Sequence, residues 1–301
     1  MDVFIVVVTY NGKQWYDRCF SSLRTSSLPL EVVVVDNASD DDTISYISNN
    51  YPEIYLIASD RNLGFGRGNN RGIKYSIDRG ADYIFLLNQD AWIEEDTIDK
   101  LVDIHQRNPQ FGILSPVHVN VDKTGIEKLL LNRLCDFRVT DSSLWNDLFF
   151  KKLKDVYETK YVNAAAWFIP TKVVDVIGGF DPFFIHYGED DNYLNRLFFH
   201  GYKVGICPNI TIVHDADRSR IRYEDNEEDI LWRIEYSNIN RKFNFNRELL
   251  TALTKFITNN LKFNFKRSWF WGRKFVFLYK HKKELRISIN TNRQKGRSWL
   301  Y

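Results

Sequence analysis

Three cysteines in 301 residues, Cys19, Cys135 and Cys207, are too few and too scattered for a disulfide scaffold or a metal–thiolate site, and they point to a reducing compartment. With 15 glycines and 7 prolines the composition also excludes a collagen-like or low-complexity chain. Apolar runs are short, Val3 to Val8 being typical, so no stretch approaches the roughly 18 residues a spanning helix needs. A basic n-region is missing from Met1-Asp2-Val3, which reads as the start of a strand and not as a signal peptide. What is present, 44% hydrophobic and 15% aromatic residues, suffices for the core of one large or two small domains.

Negative charge is scarce at one end only. The formal net charge is +2, yet residues 241–301 carry 16 Lys+Arg against 2 Asp+Glu, while the first 240 carry 25 against 37. An acidic body joined to a basic tail rich in Phe and Trp implies an anionic partner for the tail, either nucleic acid or an anionic membrane surface.

Val3–Thr9 and Glu31–Val35 are β-branched runs of the kind buried on both faces of a parallel sheet. Trp15, Cys19, Phe20 and Leu23 recur between them at helical spacing. Further strands at Ile54–Ala58 and Tyr83–Leu87, each after a helix, complete a β-α-β-α-β-α-β pattern, the mark of a parallel α/β sheet. A helix at Thr97–Gln106 and strands at Gly112–Val117, Tyr161–Ile169, Lys203–Cys207 and Ile210–Val213 follow, with a helix from Gly188 to Gly201. Residues 120–160 carry no readable pattern, and beyond Arg222 the spacing is helical.

Ligands of such sheets bind beyond the carboxyl ends of the strands. The polar residues there are Thr9-Tyr10-Asn11, Asp36-Asn37, Asp60 to Gly64 and Asn88-Gln89-Asp90. Asp36 and Asp90 can face one crevice, to bind a nucleobase imide or a divalent cation, although Asp at a strand end is equally a turn residue or helix cap. Asn88 and Asp90 form an oxygen-donor pair in which Asp90 brings the charge. The Gly64–Gly72 stretch fits neither a dinucleotide fingerprint nor a Walker loop; its glycines and Arg61, Arg67 and Arg71 suit a phosphorylated ligand or simply a flexible turn.

Glu189-Asp190-Asp191 opens a helix, where acids are favoured by the helix dipole. Asp190, Leu194 and Leu197 share one stripe, which makes Asp190 a candidate general base, and Arg196 is expected to pair with Glu189. His214, at the end of a strand, can complete a cation site or serve structurally; His186 lies near the acids.

Six blocks, Val6–Asn11, Val35–Asp40, Asn62–Gly72, Leu86–Asp90, Gly178–Asp181 and Gly188–Asp190 with Arg196 and Gly201, in this order, resemble family 2 glycosyltransferases and especially their rhamnosyltransferase-like branch. The resemblance spans about residues 3–214. It implies a GT-A fold, a Rossmann-like mixed and mostly parallel sheet flanked by helices. Residues 1–215 would be the catalytic domain, with a nucleotide-sugar half at 1–118 and an acceptor half at 119–215; residues 216–301 would be a basic, aromatic helical extension. It implies an inverting, metal-dependent transfer from a nucleotide-diphosphate sugar, rhamnose being the first guess, to a glycan or lipid-linked acceptor in cell-surface polysaccharide synthesis. By likeness Thr9 and Asn11 wall the base and Asp36 partners it; Asn62, Gly64 and Asn69 cover the nucleotide; Asn88 and Asp90 form the metal block for Mg²⁺ or Mn²⁺, with His214; and Asp190 is the base. The acidic block departs from the family's usual E-D-x-D at Asn192, which leaves Asp190 intact. A non-catalytic sugar-nucleotide binder, a sugar nucleotidyltransferase and a nucleic-acid binder are the rivals; the first would not need Asp190, the second should carry a Gly-rich loop after strand one, and no recognition motif supports the third. The basic tail is expected to hold the chain at the cytoplasmic face of the membrane, and homo-oligomerisation stays open.

Overall fold

A computed structural model describes residues 1–216, 227–241 and 243–300. The first four strands are β1 (Val3–Thr9), β2 (Glu31–Asp36), β3 (Tyr55–Ala58) and β4 (Tyr83–Asn88), joined by helices α1 (Lys13–Arg24), α2 (Thr43–Asn50) and α3 (Phe65–Asp78). They pair in parallel in the order β3-β2-β1-β4, and β1 and β2, buried on both faces, are the β-branched runs. Alternation along β1 serves two layers at once: Phe4 and Val6 enter a core beneath α3, while Val3, Ile5 and Val7 enter one beneath α1 and α2.

After β4 come β5 (Ala91–Ile93), α4 (Thr97–Arg107), β6 (Phe111–Val119), α5 (Lys128–Leu134), α6 (Ser143–Phe149), β7 (Tyr157–Thr159), β8 (Ala166–Pro170), α7 (Thr171–Ile177), α8 (Glu189–Phe199) and β9 (Lys203–His214). The full sheet runs β3-β2-β1-β4-β8-β6-β9-β5, with β7 also against β9. Strands β5, β7 and β8 run opposite to the other six, so among the described residues the sheet is mixed but mostly of one direction.

Two expectations change. The two short strands after Gly201 are one, β9, interrupted where Pro116 pairs with Cys207 and Val117 with Thr211; Pro208 has no N–H to give the ladder, and the chain bulges. The strand expected at Tyr161–Ile169 begins only at Ala166, while Tyr161, Asn163 and Ala164 before it line a cavity. The tail is helical as expected, in α9 (Glu227–Ser237), α10 (Phe245–Leu261), α11 (Phe265–Lys280) and α12 (Lys282–Asn292). Arg222, where that helical reading began, lies outside the described residues.

The side chains of Asn244 and Asn264 accept from the backbone N–H groups of Arg247 and Arg267, capping α10 and α11. Trp232, Tyr236, Phe277, Leu278 and Leu285 give these helices a small core of their own, onto which Phe183 packs.

Candidate active site

Parallel pairing sets Thr9 opposite Asp36, so the loops after β1 and β2 leave the sheet side by side. Asp36 is wholly buried and both its carboxylate oxygens are engaged: Thr9 Oγ1 donates to Oδ1 at 3.3 Å, Ser39 Oγ to the same oxygen at 2.6 Å and Ser39 N–H to Oδ2 at 3.1 Å. Asn11 takes a left-handed φ of 47°, a conformation Asn tolerates, with its N–H on Ser39 Oγ and its Oδ1 accepting from the Asp40 N–H. Gln89 holds the third loop, accepting from the Tyr10 N–H and donating to the Tyr10 carbonyl. Thr9, Asn11 and Asp36 therefore form one hydrogen-bonded wall, in which Ser39 and Thr9 fix the Asp36 carboxylate and Oδ2 accepts a single bond.

Asn62 sits in a second clasp. Asn37 Nδ2 donates to Asn62 Oδ1 at 2.8 Å, and that oxygen also accepts from the Gly64 N–H at 2.9 Å. Gly64 needs its φ of 79°, and a Cβ there would fall 2.3 Å from the Ile185 carbonyl oxygen, so the loop before α3 meets the loop before α8 only because no side chain intervenes. The rest of the glycine stretch is packing and not a phosphate loop: a Cβ at Gly68 or Gly72 would lie 2.9 or 2.3 Å from Val8 or Val6, so the glycines let α3 lie flat on β1. Asn69, expected over a ligand, is buried and donates to the Phe65 carbonyl of its own helix. Arg67 donates to the Pro182 carbonyl and Arg71 to Ser59 Oγ.

β5 pairs with the end of β9, placing Ala91 opposite His214 and bringing Asn88, Asp90 and His214 together. His214 Nε2 stands 3.5 Å from both Asp90 Oδ1 and Asn88 Nδ2. Asp90 Oδ1 and Asn88 Oδ1 are buried with no hydrogen-bond partner among the described residues. Donors 3.5 Å apart can share one ion with bonds of about 2.0–2.2 Å, and a carboxylate with an imidazole suits a divalent cation, so these residues fit one.

Behind them, His214 Nδ1 lies 3.4 Å from Glu127 Oε2, and His118 Nδ1 lies 3.7 Å from the same oxygen, all three residues buried. Burial opposes charge on His214, but Asp90 and Glu127 overcome it and raise its pKa to about 9. Burial likewise opposes ionisation of Glu127, yet His118 and His214 hold it well below the usual carboxylate range, while burial keeps the His118 pKa low.

Gly188, in a left-handed conformation at φ 87°, starts α8, and Glu189, Asp190 and Asp191 fill its first turn. Asp190 Oδ2 accepts from the Ala164 N–H at 3.0 Å. Burial above all, and then Asp191, raises the Asp190 pKa against the effect of that bond. Burial and Asp190 raise that of Glu189 in the same way, and Glu189 Oε2 is buried with no hydrogen-bond partner among the described residues. Arg196 does not pair with Glu189 as expected. It is buried, donating to the carbonyls of Ile177 at 3.0 Å and Gly179 at 2.6 Å, where it satisfies buried carbonyls at and just after the C-terminus of α7.

A cavity of about 400 Å³ joins these parts. Asn62, Asn88, His214 and Asp190 line it, together with Asn37, Gln89, Tyr161, Asn163, His186, Tyr187 and Glu189. Sequence reasoning missed Glu127, His118 and the Ala164 N–H. Glu127 lies in the stretch without pattern, and a backbone donor leaves no mark on a sequence.

The sequence profile of glycosyl transferase family 2 matches residues 4–169. A low-salt glycan biosynthesis hexosyltransferase of Haloferax volcanii is 26% identical over 74% of this chain and 70% of its own length. A dTDP-rhamnosyl transferase of Shigella flexneri is 26% identical over 71% and 69%. Among solved structures, a mannosyltransferase of Pyrobaculum calidifontis in complex with GDP-Man and Mn²⁺ superposes with a TM-score of 0.55 at 17% identity, over 79% of this chain and 61% of that one. At that identity the likeness speaks for the fold, which is GT-A.

Proposed function

The chain belongs to glycosyl transferase family 2, and from that premise we propose that it moves a sugar from a nucleotide-diphosphate donor to a hydroxyl of a glycan or lipid-linked acceptor, with inversion, in cell-surface polysaccharide synthesis. One observation carries the reading: a carboxylate with raised pKa, Asp190, shares a single cavity with the Asn88–Asp90–His214 cluster. In this reading the nucleoside lies along the wall of Thr9, Asn11 and Asp36, under the loop of Asn62 and Gly64, with Asn69 fixing that loop's helix from inside.

Asp90 and His214, with Asn88 beside them, would hold Mg²⁺ or Mn²⁺, which when bound neutralises the departing diphosphate. The Ala164 N–H fixes Asp190 Oδ2, which leaves Oδ1 to accept the acceptor's proton. The acceptor oxygen then bonds to the anomeric carbon as the bond to the diphosphate oxygen breaks, in one displacement that inverts the centre. Rhamnose is the first donor to test, because the branch resemblance and the Shigella relative both favour it. The test is a panel of nucleotide sugars assayed for binding and for metal-dependent hydrolysis. Binding without turnover under every condition would favour the non-catalytic sugar-nucleotide binder.

A further inference from the structure

Leu249, Phe256, Phe263, Phe270 and Phe277 recur every seven residues along the tail, and of these Leu249, Phe270 and Phe277 turn inward against Trp232 and Tyr236. A second stripe faces out. On α10 it comprises Leu250, Leu253, Ile257 and Leu261, exposed by 61, 36, 46 and 75%, at i, i+3, i+7 and i+11. On α11 it comprises Phe265, Trp269 and Val276, exposed by 63, 71 and 60%. Phe263, 80% exposed, stands at the turn between the helices.

The two stripes are continuous. Phe256 and Gly272 meet between them, a Cβ at Gly272 lying 3.1 Å from the Phe256 ring, and the resulting groove of about 470 Å³ is walled by Leu253, Trp269 and Val276. A soluble surface seldom leaves so long an apolar face in water.

Charge selects its occupant. Residues 245–280 hold eight Lys+Arg and one acid, Glu248. Lys262, Lys266, Arg267 and Lys280 are exposed, and none has an acidic partner among the described residues. A second copy seated on this face would bring the same cations together, since a two-fold contact sets a patch against itself. An anionic bilayer presents hydrocarbon to the stripe and negative headgroups to the cations.

We propose that the outward face of the α10–α11 hairpin is a membrane-docking surface that lies in the interfacial layer of an anionic bilayer. No helix among the described residues is long and apolar enough to cross a membrane, so the hairpin rests on the surface. Docking deepens the reading of a lipid-linked acceptor and rests on that reading for its purpose: Arg233 of α9 and His281, between α11 and α12, contact Phe183, in the loop that carries His186 and Tyr187 to the cavity.

The experiment is co-sedimentation of the full chain with phosphatidylcholine vesicles, with and without phosphatidylglycerol, at low and high salt. Nucleoside diphosphate binding is measured on the same samples. The parent chain should bind the anionic vesicles and be released by salt. Replacing Lys262, Lys266 and Arg267 together with Gln should weaken binding about fivefold per cation, and Phe263→Ser with Trp269→Ser should abolish it, with nucleotide binding unchanged in both. Failure to bind anionic vesicles by a chain that binds nucleotide overturns docking and spares the transferase reading; vesicle binding without nucleotide binding does the reverse. A parent dimer that the Phe263/Trp269 change dissociates, with no vesicle binding, assigns the face to self-association and overturns the proposal.

Discussion

Asp190→Asn should remove transfer while making the folded chain more stable at neutral and alkaline pH. The substitution keeps the shape and the acceptor oxygen, so the 3.0 Å bond from the Ala164 N–H persists and only the charge is lost. A positioned general base contributes about 10²–10⁴ in rate, and turnover should fall by that factor with donor affinity nearly unchanged. Stability moves the other way. A carboxyl whose folded pKa exceeds its unfolded value contributes fully below the unfolded value, and that contribution is lost as pH rises through the folded one.

Asp190 is such a group, raised by burial and by Asp191, so above its folded pKa the native chain holds a charge it would rather not hold. Each tenfold difference in acidity between folded and unfolded chains is worth about 1.4 kcal/mol, and in a chain this long 1 kcal/mol moves the melting midpoint by about 2 °C. Asp190→Asn should therefore melt higher than the parent at pH 8 and show little or no advantage at pH 4, measured by calorimetry or circular dichroism beside a transfer assay. Turnover within threefold of the parent would remove Asp190 as the base. A midpoint lower than the parent's at pH 8 would refute the account of its burial.

Calorimetric titration of a nucleoside diphosphate should need Mg²⁺ or Mn²⁺ for full affinity and weaken in Asp90→Ala; equal affinity with and without the ion would rule out a metal-bridged diphosphate. Because an ion must displace the proton that Asp90 and Glu127 keep on His214 up to about pH 9, Mn²⁺ affinity should rise about tenfold per pH unit below that value, and a flat profile would place the ion elsewhere. Glu127→Gln should lower Mn²⁺ affinity by about 10–100-fold, read by electron paramagnetic resonance, since the amide orients the Nδ1 side of His214 less firmly; unchanged affinity would make Glu127 purely structural. Gly72→Ala, favourable in an open helix by up to about 1 kcal/mol, should instead cost about 1–3 kcal/mol in denaturant unfolding because its Cβ meets Val6 at 2.3 Å, and a gain in stability would show that α3 can lift from the sheet.

Much of this was legible because each signal was local. The β-branched runs of β1 and β2 and the short apolar runs of β3 and β4 marked the four parallel strands to within a residue or so, and the spacing of Trp15, Cys19, Phe20 and Leu23 marked α1. Illegible features depend on residues distant in sequence. β5 is three residues long and exists only because β9 offers an edge, so no period could announce it. Arg196 was assigned by helix spacing to Glu189, but the carbonyl ends of α7 lie nearer, and only the packing of α7 on α8 reveals that. The glycines of α3 read as a ligand loop because sequence cannot tell close approach to a phosphate from close approach to a neighbouring strand.

The tail reads from its sequence as a basic, aromatic segment with an anionic partner, and its helices turn one apolar face inward and leave another exposed. Its last helix and the residues after it are also bound to the α/β body. Asp181, buried in the loop before α8, accepts from Ser288 Oγ at 2.5 Å and Asn292 Nδ2 at 2.7 Å. The Gly179 N–H donates to the Ser298 carbonyl, Asn70 Nδ2 donates to that of Trp299, and Leu300 completes the core beneath α3. The loop that delivers Gly188, Glu189 and Asp190 is thus held from one side by α3 and from the other by the last helix and the residues after it. Removing everything beyond Asn240 would strip these partners from buried Asp181 and Asn70 along with the outward stripe, and the loss of several satisfied buried polar groups is costly. Integrity of the cavity would then fall along with vesicle binding, so the proposed docking is separable from the tail's structural role only by point changes on its outer face.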